Sequence, residues 1–353
     1  MDINLSEIER ILIINLASIS EVCLSLPTTR ALRAAYPDAK LTMLVVPYAA
    51  AIAEMNPYVD DCLVYDKRGA DQGLSGLFNV ISRVRKENFN LAICMNFSPR
   101  GAFVAWAAGI HYRIGYDKAL VKLFLTHAAD SDRSRVRHQT INNLQVLQPL
   151  AISTEDTSLN LVIDEKIERI IDTTIFMDNA RPNIAFDPIN SEHPARNPSP
   201  AKAIRLVKEL EQFADVYLIG GLAEQRDLQL LAAAANLPNK RILAGRINLQ
   251  ELAALLKQMA VMLSVEAGSM YLAQAMNVPV VALFGPTNPH IYGPRGNHDI
   301  IMTQKLACQP CKKNHGCMDN RCVEEIPDEE IIANVCSRLY IHNSTKSSET
   351  LAF

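Results

Sequence analysis

The stretch "LIINLASISEVCLSLPTTRAL", residues 12–32, starts as an apolar strand, crosses a short polar loop and enters a helix. A nucleotide-binding α/β unit opens this way. Yet the stretch holds no glycine and carries a carboxylate, Glu21, where such units place glycines to admit a phosphate. Moving outward, β-rich runs follow at "LTMLVV" (41–46), "CLVY" (62–65) and "LAICMN" (91–96), with weaker ones at "RIGY" (113–116) and "LNLVI" (159–163). A second series reads "NIAF" (183–186), "VYLIGG" (216–221), "RILAG" (241–245), "VMLSV" (261–265) and "VPVVALFG" (278–285). Amphipathic segments lie between these runs, at 199–214, 223–236, 248–259 and 268–276. Near-continuous apolar strands alternating with helices predict parallel sheets covered on both faces.

The 353 residues suit two domains better than one. With 49% hydrophobic residues the chain can fill two cores. The polar runs "DNARPN" (178–183) and "DPINSEHPARNPSP" (187–200) place the junction near the middle. The expected division is a first domain at 1–165, a linker at 166–182, a second domain at 183–341 and a loose polar tail at 342–353. Two doubly wound Rossmann-like domains would leave a central cleft between the carboxyl ends of their sheets. A net charge of −3 makes no general case for nucleic acid, which is not expected as a partner. The start "MDINLSEIER" does not resemble a secretory signal, and the apolar runs are strand-sized. The expectation is a cytoplasmic protein whose contact with a membrane is at most peripheral. No G-x-G-x-x-G follows any strand, which argues against a dinucleotide oxidoreductase.

Two further stretches carry chemistry. Residues 264–289, "SVEAGSMYLAQAMNVPVVALFGPTNP", turn from a strand through "EAGS" into a helix expected to start near Met270. A helix N-terminus beside a glycine offers free N–H groups and a positive dipole end to a phosphate. The second stretch, "CQPCKKNHGCMDNRC", contains Cys308, Cys311, Cys317 and Cys322. Its spacing suggests a four-thiolate zinc or iron knuckle, with His315 as a substitute ligand and with reduced thiols or disulfides as the alternatives. A closed four-cysteine site would be structural, and no catalytic metal is expected. Cys23, Cys62, Cys94 and Cys336 sit in apolar patterns and are expected in the core.

Together, "ASISEVCLSLPTTRAL" (17–32) and 264–289 resemble the two signature stretches of the glycosyltransferase family 9 enzymes, the heptosyltransferases of lipopolysaccharide core synthesis. "NPYVDDCLVYD" (56–66), "YRIGYD" (112–117), "RHQTINNLQVL" (137–147), "YLIGG" (217–221) and "AGRINLQELAALL" (244–256) are similar to that family in order and spacing. The resemblance runs over roughly residues 8 to 335 and implies a GT-B fold. It also implies inverting transfer of a heptose or related sugar from a nucleotide-sugar donor, commonly ADP-heptose. The acceptor would be a hydroxyl on a lipid-linked or core oligosaccharide.

The resemblance assigns roles residue by residue. The family's base, an aspartate after glycine, falls on Glu21, with Ser20 in place of the glycine. Glu21 is also readable as a helix-terminal carboxylate after a Ser18 or Ser20 cap. On the donor side the signature falls on Glu266, Ala267, Gly268, Ser269, Met270 and Tyr271, and the "AGRI" stretch adds Arg246. The phosphate-binding lysine matches Arg196, with Lys202 as the alternative; either is also readable as a solvated charge. For an anionic acceptor the cations are Arg100, Lys118, Lys122, Arg133, Arg135 and Arg137, of which the 131–138 run is also readable as a plain solvated loop. The departures at Ser20, Glu21, Ala267 and Tyr271 leave a second expectation open, a catalytically impaired member acting as a binding or scaffold protein.

Overall fold

A computed structural model describes residues 7–130, 136–175, 181–311, 317 and 319–350. The chain divides into two compact units, Met1–Val162 and Ile163–Phe353.

In the first unit the apolar runs become β1 (Arg10–Asn15), β2 (Lys40–Val45), β3 (Asp61–Val64), β4 (Leu91–Cys94), β5 (Tyr112–Tyr116) and β6 (His127–Ala129). They form one sheet in the order β3-β2-β1-β4-β5-β6, with every pair parallel. The connections carry α1 (Ile19–Cys23), α2 (Leu26–Ala35), α3 (Ala50–Glu54), α4 (Gly73–Lys86), α5 (Pro99–Ala107), α6 (Ala119–Lys122) and α7 (Gln139–Leu144). The chain steps from β1 to β2 and β3 in one direction, then returns to β4 and continues to β6. Right-handed crossovers therefore put α4, α5 and α6 on one face of the sheet and the earlier helices on the other. In keeping with this, α5 packs between α4 and α6. Strand order reverses between β1 and β4, whose ends carry Asn15 and, just beyond, Asn96.

The second unit has β7 (Asn183–Asp187), β8 (Asp215–Leu218), β9 (Val261–Val265), β10 (Val280–Phe284) and β11 (Ile300–Thr303) in the parallel order β11-β10-β9-β7-β8. Its helices are α8 (Glu165–Thr174), α9 (Pro200–Leu210), α10 (Gln225–Ala235), α11 (Leu249–Leu256), α12 (Gly268–Ala275), α13 (Pro289–Tyr292), α14 (Arg321–Glu324) and α15 (Asp328–Thr350). Ile184, Phe186, Leu206, Val216, Leu263 and Val335 belong to its core. Here the order reverses between β7 and β9.

Several expectations change. The supposed linker 166–182 holds α8, capped by the Asp164 carboxylate accepting from the Lys166 N–H at 2.8 Å. Its Glu168 and Asp172 side chains bind Lys257 and Gln258 beyond α11. The stretch 342–350, expected to be loose, continues α15. Residues 159–163 form no strand; they are held at Val162, which donates to the Met55 carbonyl at 2.8 Å. The 241–245 run contributes only an isolated bridge, Leu218 to Ile242, because the chain turns at Gly245 with φ +66°.

Lys202, expected as an alternative phosphate ligand, is a clamp instead. Its side chain is 1% exposed. The ammonium donates to the Glu324 carbonyl at 3.1 Å, the Ile326 carbonyl at 2.5 Å and Asp328 Oδ1 at 2.6 Å. Those three acceptors match the three donors of an ammonium, so the buried charge is satisfied. Ser199, the N-cap of α9, also binds the Glu324 carboxylate through its N–H and its hydroxyl. Removing one partner of such a pair strands the other. Lys202→Met is expected to lower unfolding stability by about 3–5 kcal/mol in urea titration followed by circular dichroism.

Candidate functional site

Where strand order reverses in a parallel sheet, the two neighbouring strand ends open a crevice that no crossover covers. Each unit has its polar side chains there.

In the first unit Asn15 is 2% exposed and organises the loop after β1. It donates to the Glu21 carbonyl at 3.2 Å and to Ser25 Oγ at 3.3 Å, and it accepts from Asn96 at 3.1 Å. Asn96 in turn accepts from the Leu16 N–H at 2.6 Å. Glu21 is half-buried in the first turn of α1. Ser18 occupies the N-cap but makes no side-chain capping bond, and Ser20 lies inside α1 without a left-handed φ. The position therefore does not call for glycine, which accounts for the missing glycine in the opening stretch. Lys67, which the sequence did not single out, donates to the Leu16 carbonyl at 3.2 Å. Burial first, and then the neighbouring Arg100 and Arg68 charges, push the Lys67 ammonium below its usual range. Arg100 itself reaches the Tyr65 hydroxyl at 3.4 Å.

The other expected cations are dispersed. Lys118 lies 4.9 Å above the Phe97 ring. Lys122 is exposed and pairs with Asp117 at 3.1 Å. Arg137 is half-buried, and Arg133 and Arg135 lie outside the described residues.

In the second unit the crevice is lined from three sides. Glu266, just past β9, is 5% exposed. Arg196 meets it twice, with Nη1 3.3 Å from Oε1 and donating to the backbone carbonyl at 3.1 Å. The Thr287 hydroxyl donates to Oε2, and Asn190 donates to the same carbonyl at 3.0 Å. Burial pushes the Glu266 carboxyl up, with Arg196 and then Thr287 pulling it down. Beside it α12 begins at Gly268 behind Ala267, whose side chain cannot cap, so the first N–H groups of the helix have no side-chain cap.

Asp187, at the end of β7, closes the third side and was missed by the sequence reading. It is 4% exposed, accepts from the Ser269 hydroxyl, and has one oxygen, Oδ1, with no hydrogen-bond partner among the described residues. Burial chiefly pushes its carboxyl up to about 7; the Ser269 bond opposes this, and the Glu224 charge adds to it. Glu224 is held by the Ser191 hydroxyl and by the Gly221 N–H at 2.9 Å. Neither residue falls in a repeating pattern; a signal existed only in the acidic residue closing an apolar strand.

Other assignments move. Met270 and Tyr271 are 0% and 1% exposed, and the Tyr271 hydroxyl donates to the Tyr292 carbonyl at 2.6 Å. Both side chains serve the core under α12. Arg246 is exposed, donates to the Asn239 and Ile242 carbonyls at 3.3 Å, and lines a cleft of about 510 Å³ with Gln225, Gln229, Asn239, Ile242 and Ala244.

The four-cysteine segment braces the turn after β10. Gln309 donates to the Gly285 carbonyl at 2.8 Å, and the Cys311 N–H donates to the Pro286 carbonyl at 2.9 Å. A Cβ on Gly285 would meet Val323 at 2.7 Å and Cys322 Sγ at 3.2 Å, so only glycine fits. Burial, then the Cys317, Cys311 and Cys308 charges, push the Cys322 thiol up to about 11. All eight thiols are free, and among the described residues no three His, Cys, Asp or Glu side chains are placed to hold a metal. His315 lies outside the described residues. Cys23 and Cys94 are core residues as expected, whereas Cys62 and Cys336 are only half-buried.

Asp187 gives a testable pH dependence. Its folded pKa lies above the unfolded value, so its favourable contribution is full below about pH 4 and is lost as pH rises through about 7. Asp187→Asn is expected to abolish that loss, gaining on the order of a few kcal/mol over the parent at pH 8 and little at pH 4. Urea unfolding at the two pH values checks it.

The chain matches the family model described as glycosyltransferase family 9 (heptosyltransferase) over residues 77–321. It is 24% identical over 330 residues to lipopolysaccharide heptosyltransferase 3 of Escherichia coli, covering 89% of this chain and 93% of that one. With lipopolysaccharide core heptosyltransferase OpsX of Haemophilus influenzae it shares 20% over 312 residues, 82% and 83% of the two chains. Among solved structures, a glycosyl transferase family 9 protein from Veillonella parvula superposes with a TM-score of 0.82 at 23% identity, covering 94% of this chain and 97% of that one. ADP-heptose LPS heptosyltransferase II of E. coli gives 0.80 at 18% identity, covering 95% and 99%. The fold is GT-B, and with two parallel sheets, a glycine-led helix after β9 and a family match over most of its length, the chain belongs to glycosyltransferase family 9.

Proposed function

We propose that the chain is a heptosyltransferase. It moves heptose, or a related sugar, from a nucleotide donor such as ADP-heptose to a hydroxyl of a lipopolysaccharide core or similar glycan, with inversion at the anomeric carbon. The observation that carries this reading is the crevice of the second unit. It combines a helix N-terminus without a side-chain cap, an arginine beside it and a glycine at the first helical position. Such a set suits a diphosphate.

In the proposed reaction the acceptor oxygen bonds to the anomeric carbon as the bond from that carbon to the donor's β-phosphate oxygen breaks. Glu21 takes the acceptor's proton. Arg196 and the first N–H groups of α12, including those of Gly268 and Ser269, meet the charge that develops on the departing nucleoside diphosphate. Glu266 holds Arg196 in place, Glu224 is suited to sugar hydroxyls, and the Arg246 cleft is suited to the nucleoside. In the first unit Arg100 and Lys67 would meet acidic groups of the acceptor, with Lys118 and Arg137 as outlying cations. A cytoplasmic location with peripheral contact at the inner face of a membrane belongs to the same reading. Among the described residues no helix is long and apolar enough to cross a membrane. A structural zinc or iron at Cys308, Cys311, Cys317 and Cys322 is also part of the proposal. It rests on the spacing of the four thiols in the sequence, since among the described residues no three ligands are placed to hold a metal, and it takes no part in the transfer.

Two measurements test this. Glu21→Gln is expected to lower the transfer rate about a hundred- to ten-thousand-fold while leaving ADP binding by calorimetry unchanged; transfer at the parental rate removes Glu21 as base. Metal analysis of the purified chain is expected to find close to one equivalent of zinc or iron, lost when Cys308 and Cys311 are replaced by serine. A metal-free parent removes the knuckle.

A further inference from the structure

The helical layer α4–α5–α6 of the first unit has a composition unlike the rest of the chain. Its residues, 73–86, 99–107 and 119–122, include the five cations Arg83, Arg85, Lys86, Arg100 and Lys122 and not one Asp or Glu. The chain as a whole carries a net charge of −3, so positive charge is concentrated on this layer. Arg83 and Lys122 pair with loop carboxylates, Asp71 and Asp117. Arg85, Lys86 and Arg100 have no carboxylate partner among the described residues.

The same layer exposes large apolar side chains. Trp106 is 50% exposed, Leu120 64% and Leu123 72%; on the adjoining α4, Leu74 and Phe78 are 75% and 67% exposed. Trp106 is fixed by an aromatic triad: its ring centroid lies 5.7 Å from both Phe103 and Phe124, and those two are 5.4 Å apart. Arg85 reaches the Ala107 carbonyl at 2.5 Å, which brings the basic end of α4 beside Trp106. A protein in water gains nothing by exposing a braced tryptophan and two leucines together.

We propose that this layer is the surface by which the protein docks on an anionic phospholipid bilayer. Trp106, Leu120 and Leu123 enter the headgroup boundary, and Arg85, Lys86 and Lys122 sit among the lipid phosphates. The two requirements of interfacial binding, buried apolar area and cationic attraction to acidic headgroups, are met on one face. An apolar protein partner would not need the cations, and an acidic protein partner would not need the leucines. The proposal gives a place to the peripheral contact in the functional reading and rests on that part of it alone, not on the sugar chemistry.

Trp106 is the only tryptophan in the chain, so intrinsic fluorescence reports this surface and no other. The whole protein is mixed with vesicles of phosphatidylcholine alone or with added phosphatidylglycerol. Sedimentation is expected only with the anionic vesicles and is expected to fall with salt. The Trp106 emission should shift to the blue and be quenched by brominated acyl chains. Leu120→Ser and Leu123→Ser, at exposed sites where the fold is checked by circular dichroism, should each weaken vesicle binding about tenfold. Arg85→Gln with Lys86→Gln should weaken it on anionic vesicles alone. Vesicle binding that leaves Trp106 emission unmoved overturns the surface while keeping the peripheral reading; absence of binding overturns both. Equal binding to both vesicle types removes the role of charge and overturns the proposal. So does a dimer by light scattering that the leucine variants dissolve, because a second copy would then be the occupant.

Discussion

A buried charge must find its partners inside the protein, and the second unit is arranged around that constraint. Glu266 stands at the reversal of strand order, where the sheet leaves a crevice, and its carboxylate is almost fully enclosed. An isolated carboxylate there would cost several kcal/mol or more. Arg196 and the Thr287 hydroxyl meet that demand, while Asn190 holds the backbone carbonyl of the same residue. Arg196 comes from the connection after β7 and Thr287 from the one after β10, so satisfying one carboxylate ties two further loops to its own. Those loops and the start of α12 share one end of the unit. In the proposed reaction, the arrangement that stabilises the crevice also suits it to a diphosphate.

The first unit solves a related problem with neutral groups. Asn15 and Asn96 bind each other and the loop that carries Glu21, so neutral amides position that loop. The amide of Asn15 holds the Glu21 carbonyl and so fixes the backbone from which its side chain departs. The contrast between the units follows from this. One crevice is organised by a buried charge pair, and the other by a pair of amides.

Much of this was legible in the sequence where it depends on local pattern. Apolar runs bounded by turn residues marked most strands, and "EAGS" after β9 marked the helix start to within two residues. Glu21, Arg196, Glu266 and Gly268 stand out as candidates because they sit beside such marks. Asp187, Glu224 and Lys67 do not, since their importance comes from which strand ends are neighbours. Strand order pairs β7 with β9, some eighty residues later, and nothing local encodes that. Met270, Tyr271 and Lys202 failed the opposite way. Their position within or near a motif suggested the site, whereas helical geometry turned each toward the interior. The linker was misplaced because α8 is short and polar on its outer side, and its packing against α11 is a tertiary fact.

The clamp at Lys202 has a consequence for the order in which the molecule is made. All six strands of the first unit lie before residue 130, so its sheet can close while the ribosome is still building the second unit. Lys202 waits for acceptors at residues 324–328, more than a hundred positions downstream. Until those residues emerge, the ammonium on α9 has no place inside a core and keeps that helix from settling. The second unit is thus completed from its far end, and a nascent chain stopped before Glu324 carries one finished domain followed by one that cannot close.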